Sequence, residues 1–336
     1  MLHRFAKFLA ACTVLLILAG SLVTSHDAGL SVPDWPTSYG WNMFTFPPSM
    51  WVANIFYEHG HRLVASGVGF LTIIMAVWLY VAEPRRWMRR LGIAALAAVI
   101  AQGLLGGLTV KYFLPPAVST AHAALAEIFF CMTVAIALFT SPGWQRPNAA
   151  AQAVDDPYVR RLAMTTTAVI FCQILVGAAM RHTGAGLAIP DFPLMFGGLI
   201  PDHWDSGIAV HFTHRVGALV VAAMALWTSI TIWRRHSDHV DLAHPALLIL
   251  IFIVIQGTLG ALTVLSRRQP WINSLHVVGG ALVLTTSLVL TLRAWRPAFR
   301  NADFGMRMGE PQPAAKINPQ SIRNPQSDIR NEGARA

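Results

Sequence analysis

The chain has 336 residues, of which 54% are hydrophobic and only 12% are charged, and its mean hydropathy is +0.51. Soluble domains carry about 25% charged residues, so this composition excludes a soluble cytosolic or secreted enzyme. The formal charge of +9 comes from short Lys and Arg clusters between apolar runs, which indicates helix orientation and not nucleic-acid binding. The cysteines all lie inside apolar runs and form no CxxC motif: Cys12, Cys131 and Cys172.

The apolar residues are grouped in runs long enough for helices that cross about 30 Å of hydrocarbon. In chain order they predict eight transmembrane helices, at 8–25, 59–82, 92–113, 117–140, 161–180, 209–233, 244–265 and 272–293. The first run follows Arg4 and Lys7 like a signal peptide, but no small-residue cleavage site follows it, so we expect it to be retained. Residues 298–336 contain few large apolar side chains and are expected to form a disordered cytoplasmic tail.

Lys and Arg are distributed unequally between alternate loops. One side carries thirteen of them, namely Arg4, Lys7, Arg85, Arg86, Arg89, Arg90, Arg146, Arg160, Arg161, Arg234, Arg235, Arg293 and Arg296. The other side carries Lys111, Arg181, Arg267 and Arg268. Because the positive excess marks the cytoplasmic side, both termini are predicted to be cytoplasmic. The long outer segments 26–58 and 181–208 are rich in Pro, Gly, Trp and Phe, and we expect them to fold onto the membrane face.

Several short motifs recur later in the chain at an almost constant offset. The repeats are AGL with PDWP at 28–36 and AGL with PDFP at 185–193, QG to LTV at 102–110 and 256–264, and HR at 61–62 and 214–215. These matches predict an all-α membrane protein built as two tandem four-helix bundles related by internal duplication. The predicted halves are residues 1–145 and 146–297. The Gly-rich helices permit, without requiring, a homo-oligomer.

Four histidines lie in the first turns of the even-numbered predicted helices: His61, His122, His214 and His276. An ionisable residue inside a span is costly and marks the interior of a bundle. Two histidines on separate helices of a four-helix bundle are the arrangement that ligates a haem iron axially, so we predict one haem-like site per half, near the outer face. Hydrogen-bonded packing histidines and a proton relay are the alternatives. Zinc is disfavoured because each half offers two imidazoles and at most one carboxylate.

Charged residues beside these histidines differ between the halves. Arg62 and Arg215 follow the first histidine of each pair, where a guanidinium would bind a haem propionate or snorkel to the headgroups. Glu58 precedes the first pair, and His211 takes its place before the second. A carboxylate beside a hydrophobic cofactor suits proton transfer or the stabilisation of positive charge. Its alternative is a carboxylate bonded to a loop amide. Glu127 is expected to be a buried, satisfied polar group.

The chain resembles the haem A synthase family, which includes the bacterial enzyme and its mitochondrial counterpart. The resemblance covers residues 8–293 and is carried by the eight spans, the duplication, the EHGHR motif at 58–62, the Gly-rich segments after Gln102 and Gln256, and the paired histidines. It implies that the amino-terminal half binds the substrate haem O and the carboxy-terminal half a haem B cofactor. The residues implied are Glu58 as catalytic, His61, His122 and Arg62 for haem O, and His214, His276 and Arg215 for haem B.

The resemblance also implies a reaction, partners and a location. The family oxidises a ring methyl of haem O through an alcohol to the formyl group of haem A, with molecular oxygen and an electron donor. Haem O synthase would act upstream, haem-copper terminal oxidases and their assembly machinery downstream, and the bacterial cytoplasmic membrane would hold the protein. Better-described bacterial members carry an outer-loop cysteine pair that 26–58 and 181–208 lack. This chain is therefore more similar to the mitochondrial type. The competing functions are a dihaem b-type electron-transfer cytochrome and a duplicated transporter.

Overall fold

The computed structural model describes residues 1–145 and 154–296, and these are organised as helices and loops. The helices are α1 Leu2–Ser25, α2 Asn54–Ala82, α3 Arg86–Lys111, α4 Pro116–Phe139, α5 Pro142–Gln145, α6 Pro157–His182, α7 Ser206–His236, α8 Val240–Leu265 and α9 Pro270–Ala294. All except the single-turn α5 are long and apolar enough to cross a membrane. The predicted all-α membrane class and its eight spans are confirmed. The predicted tail at 298–336 lies outside the described residues, as does the predicted boundary between the halves.

Several helices begin earlier than hydropathy predicts, because polar caps and prolines define their first turns. Asp156 accepts hydrogen bonds from two amides of the first turn of α6, and Pro157 occupies its first position. Asp205 caps α7 in the same way through the amide of Ile208. Hydropathy detects the apolar centre of a span, whereas these caps lie outside it.

The spans form two closed rings of four helices. In the first ring, α1 packs against α2 and α4, and α3 packs between α2 and α4. In the second ring, α6 packs against α7 and α9, and α8 packs between α7 and α9. The rings meet through α1, α4, α6 and α9, which therefore belong both to a bundle and to the boundary between bundles. The duplication itself stays an interpretation of the sequence.

Hydroxyl groups link helices inside the second bundle. Thr166 of α6 shares a hydrogen bond of 2.7 Å with Thr228 of α7. Thr167 of α6 bonds to Ser287 and Thr291 of α9 at 2.7 and 2.8 Å. Hydrogen bonds of this kind hold helices together where lipid provides no hydrophobic drive. They fix the helices whose outer ends carry His214 and His276.

Candidate functional site

Each of the four predicted histidines lies near the start of its helix and packs against a glycine of a neighbouring helix. A Cβ atom added to the glycine would meet the ring carbon Cε1 at 2.9 Å for Gly20 and His61, 3.2 Å for Gly106 and His122, 2.8 Å for Gly177 and His214, and 3.1 Å for Gly260 and His276. No side chain fits in these places without movement. The four rings thus occupy the same kind of position, and the glycines belong to α1, α3, α6 and α8.

The second pair has the spacing that axial ligation of one iron requires. The ring centroids of His214 and His276 are 6.4 Å apart, and the ring planes cross at 79°. Two metal–nitrogen bonds of about 2 Å, extended by roughly 1.1 Å from each nitrogen to its ring centre, place the centroids about 6.3 Å apart. In the first pair, His122 is close enough to His61 for the imidazoles to interact electrostatically. The separation of the rings in the second pair therefore matches that of two imidazoles bound to one iron.

The histidines of both pairs include ring nitrogens without a partner, although the side-chain nitrogens of Gln102, Gln173 and Gln256 also lie 3.4, 3.0 and 3.5 Å from a ring nitrogen of His122, His214 and His276. The Nδ1 atoms of His61, His122 and His276 are buried and have no hydrogen-bond partner among the described residues. Buried polar atoms are nearly always paired, so each exception calls for an explanation. Across the described ranges, no three His, Cys, Asp or Glu side chains converge in a way that would hold a metal ion. Pairs of imidazoles inside apolar helices fit haem.

Glutamines hold three of the four histidine segments, and only two of these glutamines were used in the sequence interpretation. The side-chain nitrogens of Gln102, Gln173 and Gln256 donate to the backbone carbonyls of His122, His214 and His276 at 3.0, 2.7 and 2.8 Å. Each glutamine lies four residues before the glycine under the ring, so both face the same side of their helix. The Gln-x-x-x-Gly spacing at Gln173 was the overlooked signal. At the corresponding place before Gly20, the chain has Leu16.

Glu58 and Arg62 hold the first outer loop against α2. Glu58 is only 3% exposed, and its two oxygens accept hydrogen bonds from the Val32 amide at 2.8 Å and from Arg62 at 2.6 Å. The Arg62 guanidinium also donates to the carbonyls of Val32, Asp34 and Thr37. Glu58 therefore makes the loop-amide contact that was the alternative to a chemical role. Both terminal nitrogens of Arg62 bind carbonyls of this loop.

In the second bundle Arg215 and His211 hold the outer loop in the same way, but the imidazole of His211 is a weaker acceptor than the carboxylate of Glu58. Arg215 donates to the carbonyls of Ile189, Asp191 and Leu194. Both nitrogens of His211 lie at 3.2 Å from donors, the Ile189 amide and the Nε atom of Arg215. A neutral imidazole has one acceptor nitrogen only, so His211 satisfies one of these donors at a time. The carboxylate of the first bundle satisfies both.

Aspartates shape the tips of both outer loops. Asp34 accepts hydrogen bonds from the Thr37 hydroxyl and the amides of Tyr39 and Gly40. Burial acts to raise the pKa of Asp34, but these donors together hold it below its ordinary value. Asp191 accepts from the Gly197 and Phe196 amides, which lower the pKa of its carboxyl in the same way. These donors preform the tips of both loops.

Two further polar residues complete the first bundle. His59, which was not nominated as a ligand, is buried, bonds to Ser38 through Nδ1 at 3.1 Å, and packs against Phe46 and Trp51. Glu127 is 5% exposed, and its Oε2 atom has no hydrogen-bond partner among the described residues. The prediction that Glu127 is satisfied was wrong, because sequence periodicity identifies a buried position without identifying what faces it.

Comparisons with known proteins match nearly the whole described chain. The COX15-CtaA family model, described as cytochrome oxidase assembly protein, matches residues 3–288. A protein named heme A synthase from Halalkalibacterium halodurans is 27% identical over 293 residues, which cover 85% of this chain and 95% of that relative. The protein of the same name from Symbiobacterium thermophilum is 30% identical over 298 residues, with 85% and 94% covered. The family match includes both bundles and all four histidines.

Proposed function

We propose that this chain, which belongs to the COX15-CtaA family of cytochrome oxidase assembly proteins, acts as a multi-pass membrane haem A synthase. The observation that carries the proposal is one buried histidine pair at the outer end of each bundle, with a spacing in the second pair that fits a bis-imidazole iron. The first pair binds haem O as substrate, and the second holds haem B as cofactor. When bound, the haem irons supply the redox chemistry.

The reaction oxidises a ring methyl of haem O through an alcohol to the formyl group of haem A. One oxygen atom of molecular oxygen enters a C–H bond of the methyl group, while two electrons and two protons reduce the other atom to water. A second molecule of oxygen, with two further electrons and two protons from the donor and solvent, gives the alcohol carbon a second hydroxyl group and releases one water, and the resulting hydrated aldehyde loses another water to give the formyl group. Haem O synthase supplies the substrate, a donor yet to be identified supplies electrons, and haem-copper terminal oxidases and their assembly machinery take the product. The site lies near the outer face of the bacterial cytoplasmic membrane, with both termini cytoplasmic.

The differences between the bundles support this division of labour. Gln173 and Gln256 fasten the backbone at both histidines of the second pair, as a permanent cofactor requires. In the first pair, the carbonyl of His122 is held by Gln102, whereas Leu16 stands opposite His61. A less restrained His61 suits a porphyrin that must enter, react and leave. A less restrained His61 would also suit a ligand that has to move during the reaction.

Glu58 has two tasks in this proposal. It fastens the first outer loop through Val32 and Arg62, and it transfers a proton or stabilises positive charge at the substrate porphyrin. Glu58→Gln removes the negative charge and the Arg62 contact, while the single amide oxygen can still accept from Val32. We expect this variant to retain both haems and to lose the formyl product. Unchanged product would leave Glu58 with its loop contact alone. Glu83→Gln is the matched control, since Glu83 is a buried acid paired with Arg85 at the inner end of α2.

The decisive experiment identifies the haems bound to the purified chain by chromatography and mass analysis, after expression with and without haem O synthase. We expect haem B alone in the host without haem O synthase, and haem O, its alcohol or haem A in the host that has it. Haem B alone in both hosts would indicate an electron-transfer cytochrome instead. A colourless protein would favour the transporter. His214→Ala and His276→Ala should each empty the haem B site, and full haem content in these variants would contradict ligation.

A further inference from the structure

Three helices meet at one buried hydroxyl group, that of Ser25, the last residue of α1. Its Oγ atom accepts hydrogen bonds from Nη2 of Arg181 on α6 at 2.8 Å and from Nδ2 of Asn273 on α9 at 3.2 Å. It also lies 2.9 Å from the Oγ atom of Ser274 on α9. Ser25, Asn273 and Ser274 are 8%, 7% and 0% exposed. These contacts join α1 of the first bundle to two helices of the second.

The Ser25 hydroxyl uses its whole hydrogen-bonding capacity in these contacts. A serine hydroxyl has one proton to donate and two lone pairs that accept. The nitrogens of Arg181 and Asn273 occupy both lone pairs, so Ser25 donates its proton to Ser274. An alanine at this position would leave three polar partners without this bond, and buried polar groups that lose a partner are costly. A single oxygen atom therefore links α1, α6 and α9.

The helices that Ser25 links carry parts of the second histidine site close to the link. Asn273 and Ser274 lie three and two residues before His276, within one turn of this predicted ligand. Arg181 lies one turn after Gly177, the glycine that packs under the ring of the other predicted ligand. The Ser25 hydroxyl therefore holds the segment of one ligand against the helix that seats the other.

The first histidine pair lacks a matching link among the described residues. His182 stands in the place of Ser25, and Ser119 stands in the place of Asn273, three residues before His122. The Oγ atom of Ser119 is buried and has no hydrogen-bond partner in the described part of the chain. Thr120, which matches Ser274, bonds to the carbonyl of Pro116 in its own helix. The first bundle thus supplies a contact to the second site that the second bundle does not return.

We propose that Ser25 is a positioning residue for His276, and that its hydroxyl fixes this axial ligand of the second porphyrin relative to His214. This inference rests on the proposed function. Metal–ligand distances tolerate about 0.2 Å, so two ligands on separate helices bind one iron firmly only when those helices are held together. Groups behind the ligands orient them and tune the affinity for the metal. The substrate-binding bundle thereby contributes to the cofactor site.

The test uses the full-length protein, purified with haem B from a host without haem O synthase. Release of haem B to excess apomyoglobin measures how firmly the ligand pair holds it. We expect Ser25→Ala to release haem B about 5- to 10-fold faster, the effect of a lost buried hydrogen bond. The low-spin ferric EPR signal depends on the angle between the two imidazole planes, which is 79° in this structure. That signal should shift, because His276 is no longer held at this angle.

Conservative and matched variants separate positioning from a general loss of stability. Ser25→Thr keeps the hydroxyl and should restore both the release rate and the EPR signal. Ser274→Ala leaves both nitrogen donors their acceptor, so this milder change should shift rate and signal in the same direction even if Ser25→Ala does not fold. Ser119→Ala is the matched control, since Ser119 is also a buried serine within one turn of a predicted ligand. It should release haem B as the wild type does.

Three results would count against the proposal. An unchanged release rate and EPR signal in Ser25→Ala and Ser274→Ala would refute the role of Ser25. Faster release with an unchanged EPR signal would indicate a general loss of stability and would refute positioning. Equal effects in Ser119→Ala would show that any buried serine near a ligand acts in this way. A wild-type chain that binds no haem would instead refute the proposed function itself.

Discussion

Gly177→Ala is the sharpest test of the ligand assignment. The added Cβ atom would lie 2.8 Å from Cε1 of His214, whereas ordinary contacts begin at 3.4 Å. The ring must therefore move by at least about 0.6 Å, while metal–ligand distances tolerate about 0.2 Å. The His214 backbone cannot follow easily, because Gln173 holds its carbonyl at 2.7 Å. We expect the variant to lose most of the haem from the second bundle, and overpacking to destabilise the fold by about 1–3 kcal/mol.

The assay for Gly177→Ala is the haem-to-protein ratio of the purified chain, measured from its absorbance, together with the thermal midpoint. Gly257→Ala is the matched control, since Gly257 also lies in a span of the second bundle but an added Cβ would meet nothing within 4 Å. That change should keep the haem and add up to about 1 kcal/mol, because alanine is the better helix former. Full haem content and an unchanged spectrum in Gly177→Ala would refute the assigned position of the His214 ring.

Three further changes test the differences between the bundles. His211→Glu gives the Ile189 amide and Arg215 an acceptor each and should add about 0.5–1.5 kcal/mol, measured as slower hydrogen exchange of the second outer loop. Leu16→Gln should hold the His61 segment more firmly and slow the release of product haem, measured by single-turnover kinetics; unchanged release would count against a mobile His61. Asp34→Asn tests pH dependence. Because the pKa of Asp34 is lowered in the folded loop, its ionised carboxylate stabilises the loop above about pH 4, and this stabilisation is lost as the pH falls through the folded pKa. Acid should therefore make the wild-type loop progressively more sensitive to proteolysis. The sensitivity of the Asp34→Asn loop should not change with pH in this range.

The eight spans were predictable because hydropathy depends only on neighbouring residues. The histidine pairs were predictable because an ionisable residue inside a membrane span costs free energy, so its repetition at matching places of both halves indicates a function. Gln173 was overlooked although the same spacing marks Gln102 and Gln256, since no glutamine stands in the matching place of α1. Periodicity placed Glu127 in the interior, but its missing partner depends on which helices meet there.

The contacts of the arginines could not be read from the sequence at all. Arg62 and Arg215 bind backbone carbonyls 21 to 30 residues away. Every residue has a carbonyl, so no pattern of side chains marks these partners. Only the folded loop orients the carbonyls toward the guanidinium. A haem propionate was the expected acceptor because the predicted haem sites place a carboxylate group near each arginine.

Differences at matching places of the two halves point in one direction. Gln173 restrains the second bundle where Leu16 does not restrain the first. In the proposed function, this difference strengthens the hold on a porphyrin in the second bundle. The first bundle instead has the better fastened loop, because a carboxylate accepts two donors where an imidazole accepts one. A site that exchanges its porphyrin needs a well-fastened loop above a histidine that can move. A site for a permanent cofactor needs histidines whose backbone is held in place, whatever the loop above them does. These contacts support the proposed division of the two bundles into a substrate site and a cofactor site.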